Sequence, residues 1–249
     1  MKESAIRLRG VSFSYPSGVT ALHGVDLDIE PGESVGIVGP NGAGKTTLFL
    51  CLCGILEPSQ GGISVGGLDL RDARQRRQVP GRLGIVFQNS DDQLFNASVR
   101  DEVAFGPLNL GLPPEEVRKR VAEALEQVGL VGFEERVPFH LSGGEKRRVA
   151  LAGVLAMRPE ILLLDEPSSH LDPRGRRELI GLINALPTTK LIASHDLEFI
   201  VATCERAVVL DHGRIVGDGP VRRILGDRDL MEGHGLEVPH SLTHPHVHF

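Results

Sequence analysis

The sequence predicts an α/β fold in which a mostly parallel sheet is interrupted by an inserted helical lobe. Three observations carry that expectation. Short apolar strands alternate with helices along much of the chain, the pattern left by parallel strands joined through helical crossovers. A glycine-rich loop, Gly39 to Thr46, sits between a strand and a helix. The stretch from Asp101 to Met157 turns helical throughout, with no strand signal inside it.

Taken in order, residues 1–38 alternate as strands do: Ile6, Leu8 and Val11, then Leu22, Val25, Leu27 and Ile29. Turns break them at Tyr15-Pro16-Ser17-Gly18 and at Pro31-Gly32. Ser34 to Val38 is a short apolar strand leading into the glycine-rich loop, and a helix runs from Lys45 to about Leu56, ended by Glu57-Pro58. Ile63 to Val65 and Leu83 to Phe87 read as further strands. Pro113-Pro114-Glu115-Glu116 opens an amphipathic helix reaching Val128, and another helix spans Glu145 to Ala156. Strands return at Ile161–Leu164, Lys190–Ala193 and Ala207–Leu210, with helices at Pro173–Leu186 and Asp196–Thr203 between them. The arginines Arg71, Arg74, Arg76, Arg77 and Arg82 read as a solvated connector.

Composition narrows the function. With 249 residues, 41% hydrophobic and 24% charged, the chain can bury a large globular core. A net charge of -6 argues against a sequence-independent grip on nucleic acid or anionic lipid, and one Tyr with no Trp argues against a base-stacking surface. Cys51, Cys53 and Cys204 have neither zinc nor thioredoxin spacing and read as buried, reduced thiols. The start carries no apolar signal segment, and the longest run free of polar side chains, Val149 to Met157, is nine residues. Crossing a bilayer takes about 20 residues, so a role at a membrane requires another polypeptide to span it.

Gly39-Pro40-Asn41-Gly42-Ala43-Gly44-Lys45-Thr46 matches G-x-x-x-x-G-K-[ST] at every fixed position, with a strand before it and a helix after it. Backbone N–H groups of such a loop turn inward on phosphates, and the helix N-terminus adds positive potential. Lys45 is expected at the β- and γ-phosphates and the Thr46 hydroxyl at Mg²⁺. Ile161-Leu162-Leu163-Leu164-Asp165-Glu166 is an apolar strand ending in two carboxylates: Asp165 suits the Mg²⁺ shell, and Glu166 suits deprotonating an attacking water. Leu141-Ser142-Gly143-Gly144-Glu145 forms a second helix N-terminus suited to anions.

With these motifs together, residues 1–225 resemble the ABC ATPase family. The resemblance implies a P-loop NTPase (RecA-like) core with an N-terminal antiparallel β subdomain, a helical subdomain at about 88–160, and a His-rich tail at 226–249. It implies ATP and Mg²⁺ as cofactors, with Gly39 to Thr46 and Thr47 holding the nucleotide, Tyr15 stacking on adenine, and Thr46, Asp165 and Gln88 around Mg²⁺. Gln88 matches the Q-loop glutamine, His195 the switch histidine and Leu141 to Glu145 the signature. Ser168-Ser169-His170-Leu171-Asp172 resembles the D-loop, with His170 standing where a small residue is commoner. A second ATPase subunit would close Ser142, Gly143 and Gly144 over the γ-phosphate in trans, and hydrolysis would release that clamp.

Gln88 to Phe95 and Asp101 to Pro107 further resemble the ATPase of energy-coupling-factor importers of vitamins and transition-metal ions. That implies transmembrane coupling and substrate-binding subunits and a peripheral position on the cytoplasmic side of the membrane. His234, His240, His244, His246 and His248 crowd the last sixteen residues, and His244-x-His246-x-His248 can present alternate imidazoles to Co²⁺, Ni²⁺ or Zn²⁺. Cobalt is favoured over nickel, with vitamins as the other cargo. A soluble ABC ATPase of translation or DNA repair is the rival class; such proteins usually carry two ATPase domains or long coiled-coil insertions, and this chain has neither.

Overall fold

The computed structural model describes residues 4–169 and 171–243. Strand β1 (Ile6–Ser14) pairs antiparallel with β2 (Thr20–Ile29), setting Ile6 opposite Ile29 and Leu8 opposite Leu27 on the buried face. After β3 (Ser34–Val38) and α1 (Lys45–Leu52), the chain returns to the other edge of β1 as β4 (Gln60–Val65), followed by β5 (Leu68–Asp69). These strands form a four-stranded sheet in the order β2-β1-β4-β5. Helix α1 ends four residues short of Leu56, because Gly54 takes a left-handed φ of 70° just past its end.

Helix α2 (Ala73–Arg76) leads to β6 (Leu83–Val86), after which the helical lobe begins. It comprises α3 (Val99–Asn109), α4 (Pro114–Gln127) and α5 (Gly143–Leu155), packed on one another. Ser98 caps α3 by accepting from the Asp101 amide, and Pro113-Pro114 opens α4 where a missing N–H costs nothing. Val117, Val121, Ala124 and Leu125 form the buried stripe of α4 at helical spacing. Three of the connector arginines pair with acids: Arg71 with Asp69, Arg76 with Glu57 and Arg82 with Glu160.

Strand β7 (Ile161–Asp165), α6 (Pro173–Ala185), β8 (Thr189–Ala193), α7 (Leu197–Thr203) and β9 (Arg206–Asp211) complete the parallel core. Every residue of β3, β7 and β8 is buried, as expected of strands covered on both faces. Strand β10 (Arg214–Pro220) folds back antiparallel on β9, giving the order β10-β9-β3-β8-β7-β6. Residues 226–243, expected as a tail, continue from α8 (Val221–Gly226) into α9 (Arg228–Gly233) and α10 (His240–Thr243). Met231 there is fully buried, and Leu236, Val238 and Leu242 pack against the core. Among the described residues no helix is long and apolar enough to cross a membrane.

Candidate functional site

Parallel α/β sheets collect ligands at the carboxyl ends of their strands, and β3, β6, β7 and β8 all end at one place here. Strand β3 hands its chain directly to Gly39. At the start of α1, Gly44 has φ 106°, and a Cβ there would sit 2.6 Å from the Ala21 carbonyl oxygen, so no side chain fits. Among the described residues no side chain caps this helix, which leaves its first amides directed at whatever the loop holds. Lys45 is 8% exposed, and its ammonium donates to the carbonyls of Gly39 (2.7 Å) and Pro40 (3.1 Å). Burial lowers its pKa, with the nearby carboxylates of Glu166 and Asp165 acting in the opposite sense.

Thr46 links the loop to β7, its hydroxyl donating to Asp165 Oδ2 at 2.9 Å. Asp165 has its pKa raised by burial; the Thr46 bond opposes that rise and Glu166 adds to it. Glu166 holds a left-handed φ of 49°, a conformation a non-glycine residue keeps only when its surroundings enforce it. They do: its amide donates to Ala193 O at 2.8 Å, and the Arg147 guanidinium donates to its carbonyl at 2.8 Å. The Glu166 carboxylate accepts from the Ser194 hydroxyl (3.2 Å) and the His195 amide (3.1 Å), and lies 2.7 Å from His195 Nδ1. It is a buried carboxylate held by donors from Ser194 and His195.

Tyr15, the loop from Gly39 to Thr47, Gln88, Asp165, Glu166 and His195 line one cavity of about 910 Å³. Tyr15 hydrogen-bonds Thr47 Oγ1 at 2.9 Å and meets the Phe13 ring edge-on at 4.9 Å. An aromatic, a phosphate-binding loop and paired carboxylates thus share one space. Its wall also includes His23, His212, Gly213, Gly235 and Leu236, which sequence reasoning missed. Gly213 belongs to the β9–β10 turn and donates its amide to Ala43 O at 3.0 Å. The β9–β10 strand pair was the signal that could have found it. Gly235 and Leu236 follow His234, whose Nδ1 lies 2.9 Å from Asp211 Oδ2.

The model of the ABC transporter family matches residues 22–169. The chain belongs to that family. A putative ABC transporter ATP-binding protein of Gloeobacter violaceus is 54% identical, over 92% of this chain and 95% of that protein. The energy-coupling factor transporter ATP-binding protein EcfA of Methanothermobacter thermautotrophicus is 48% identical, over 95% of this chain and 77% of that protein. Among solved structures, CbiO1 of Clostridium perfringens, part of the transporter complex CbiONQ, superposes with a TM-score of 0.82 at 36% identity, covering 93% of this chain and 94% of that one. The dimeric cassette MJ0796 bound to ADP and Pi gives 0.79 at 27% identity, covering 87% of this chain and 98% of that one. As an ABC transporter ATPase the chain binds ATP and couples its hydrolysis to transport.

Leu141 to Glu145, expected from the resemblance to be the signature, do not line this cavity. Leu141 precedes α5, and Ser142 and Glu145 close a capping box: the Ser142 amide donates to Glu145 Oε2 at 2.8 Å while Ser142 Oγ accepts from the Glu145 amide. The Ser142 hydroxyl and amide hold the Glu145 carboxyl below its usual range. Among the described residues no atom crowds Gly143 and only Leu171 approaches Gly144, so both can present their backbone to another surface. Asp172 caps α6 by accepting from the Gly175 amide at 2.6 Å. His170, His244, His246 and His248 lie outside the described residues; His240 begins α10. Among the described residues no group of three or more His, Cys, Asp or Glu is arranged to hold a metal ion.

Proposed function

We propose that the chain hydrolyses MgATP as the nucleotide-binding subunit of an energy-coupling-factor importer carrying a transition-metal ion, cobalt ahead of nickel. It works as a homodimer on the cytoplasmic face of the membrane, with separate transmembrane coupling and substrate-binding subunits. The observation that carries the ATPase reading is the convergence of Lys45, Thr46, Gln88, Asp165, Glu166 and His195 on one cavity. Likeness to EcfA supports the energy-coupling-factor class, and the choice of metal cargo rests on the histidines of the last sixteen residues.

The loop amides and Lys45 hold the triphosphate, and Tyr15 stacks on adenine. Thr46 Oγ1 and Asp165 Oδ2, 2.9 Å apart, are oxygen donors of the hard kind that Mg²⁺ takes, and with Gln88 they would hold it. Bound there, Mg²⁺ would neutralise charge on the phosphate oxygens. Glu166 accepts the proton of the attacking water, and His195 and Ser194 fix its carboxylate in place. His195 also reaches the γ-phosphate. Ser142, Gly143 and Gly144 of the second subunit close the site, so nucleotide binding closes the dimer and hydrolysis opens it.

Three measurements test this together: MgATP turnover by the purified chain, the membrane proteins that co-purify with it, and the cargo those cells accumulate. Uptake of nickel or a vitamin in place of cobalt would redirect the cargo assignment. Co-purification with ribosomes or DNA-repair factors alone would overturn the importer.

A further inference from the structure

Arg147 stands apart among the basic side chains of the helical lobe. It is 7% exposed, although it lies in the run Lys146-Arg147-Arg148, and no carboxylate forms an ion pair with it among the described residues. Its guanidinium instead donates to three backbone carbonyls from two loops. Nη1 reaches Glu166 O at 2.8 Å and also Pro167 O, and Nη2 reaches Gln88 O at 2.7 Å. A desolvated cation whose hydrogen-bond acceptors are all neutral carbonyls, with the Coulombic pull of the nearby Glu166 carboxylate beside them, is an expensive way to fill a core position. What the arrangement provides is a rigid three-point bridge between the segment at Gln88 and the peptide that carries Glu166.

The neighbouring contacts strengthen one end of that bridge. Lys146 pairs with Asp91 at 2.7 Å, so α5 grips the 88–91 segment twice in consecutive residues. Farther along, Val149, Gly153 and Val154 of α5 line a separate groove of about 570 Å³ that also holds Phe95 and Phe105. Those two rings meet edge-on at 4.9 Å and are 63% and 45% exposed. One helix therefore carries the apolar groove on one stretch and Arg147 on another.

We propose that Arg147 is a positioning residue that makes the backbone of Glu166 move with the 88–91 segment, so that displacement of the groove resets the catalytic carboxylate. The inference rests on the reading of Glu166 as general base. It assigns to Arg147 no contact with nucleotide.

Steady-state hydrolysis of MgATP by the full chain tests it. Arg147→Lys keeps the charge, but puts one nitrogen in place of the two, Nη1 and Nη2, that reach the separate loops. Its kcat should fall about 10- to 100-fold, as for a misplaced catalytic group. KM for ATP should stay within about twofold, because ground-state binding is untouched. Arg147→Ala should lose as much, and millimolar guanidinium should restore part of its kcat. If the alanine variant does not fold, the lysine variant decides alone. Wild-type kcat in Arg147→Lys overturns the proposal, as does a loss lodged mainly in KM, or no guanidinium rescue of an alanine variant that melts like wild type. Absence of hydrolysis in the wild-type chain would instead sink the Glu166 reading itself.

Discussion

The nucleotide cavity and the helical lobe break the usual rule of burial in opposite directions. Around the cavity, polar and charged groups are buried: Lys45, Thr47, Asp165, Glu166, Ser194 and Arg147 are all below 9% exposed. On the lobe, large apolar groups are left outside, with Phe95 at 63%, Phe105 at 45%, Leu108 at 56% and Phe139 at 69%. Each departure costs stability, the first through desolvation and the second through apolar surface left in water. Buried polar groups are held ready for a charged substrate. Exposed apolar groups are expected to meet a protein partner.

The sharpest way to break that comparison is Glu166→Gln. Losing the base should slow hydrolysis by about 10² to 10⁴, the range for general base catalysis, while MgATP still binds and the dimer stays closed on it. Light scattering with ATP and a phosphate-release assay measure both effects. Near wild-type turnover would show that the buried carboxylate is not the base.

Lys45→Ala should come next. Removing a charge-assisted contact worth about 1.5–3 kcal/mol lowers MgATP affinity roughly 10- to 150-fold. The loss should appear in Kd as well as in turnover, because this cation meets the triphosphate in the ground state too. Unchanged affinity by titration calorimetry would mean that the loop does not hold the phosphates.

On the lobe, Phe95→Ala and Phe105→Ala should leave basal ATPase activity within about twofold, because neither ring lines the nucleotide cavity. The same changes should impair assembly with the membrane subunit or uptake by the complex. Undiminished uptake would turn the exposed rings into ordinary surface.

Motif-bearing parts of the site were legible before the fold was known, because a phosphate loop demands glycines and a lysine at set spacing. Glu166 could be placed from its strand, and the structure adds its strained backbone and its contact with His195. Strand β10 was not read, since Gly217 and Gly219 interrupt its alternation, and its turn at His212-Gly213 went with it. Arg147 was equally invisible: three consecutive basic residues on a helix look like a solvated face until two loops are seen to wrap one of them. Leu236 carries no motif at all. It reaches the cavity only because Met231 and Leu236 anchor the chain beyond α8 to the core.

That anchoring sharpens the smallest expected effect, which concerns the C-terminal histidines. Cutting at residue 233 would remove His234 from Asp211, and Gly235 and Leu236 from the cavity wall, so it would disturb the nucleotide site along with any metal site. Cutting after Thr243 separates the two. Deletion of residues 244–249 should leave KM and kcat for MgATP within about twofold, because every described residue that lines the cavity is kept. It should also abolish the binding of Co²⁺ or Ni²⁺ by His244, His246 and His248. Only neutral imidazole ligates, so metal binding by the full chain should weaken as pH falls through about 6.5. Calorimetric titration of cobalt and nickel into both chains is the measurement. Equal metal affinity in the two would remove the tail from the metal argument, leaving the cargo to be read from the membrane partners.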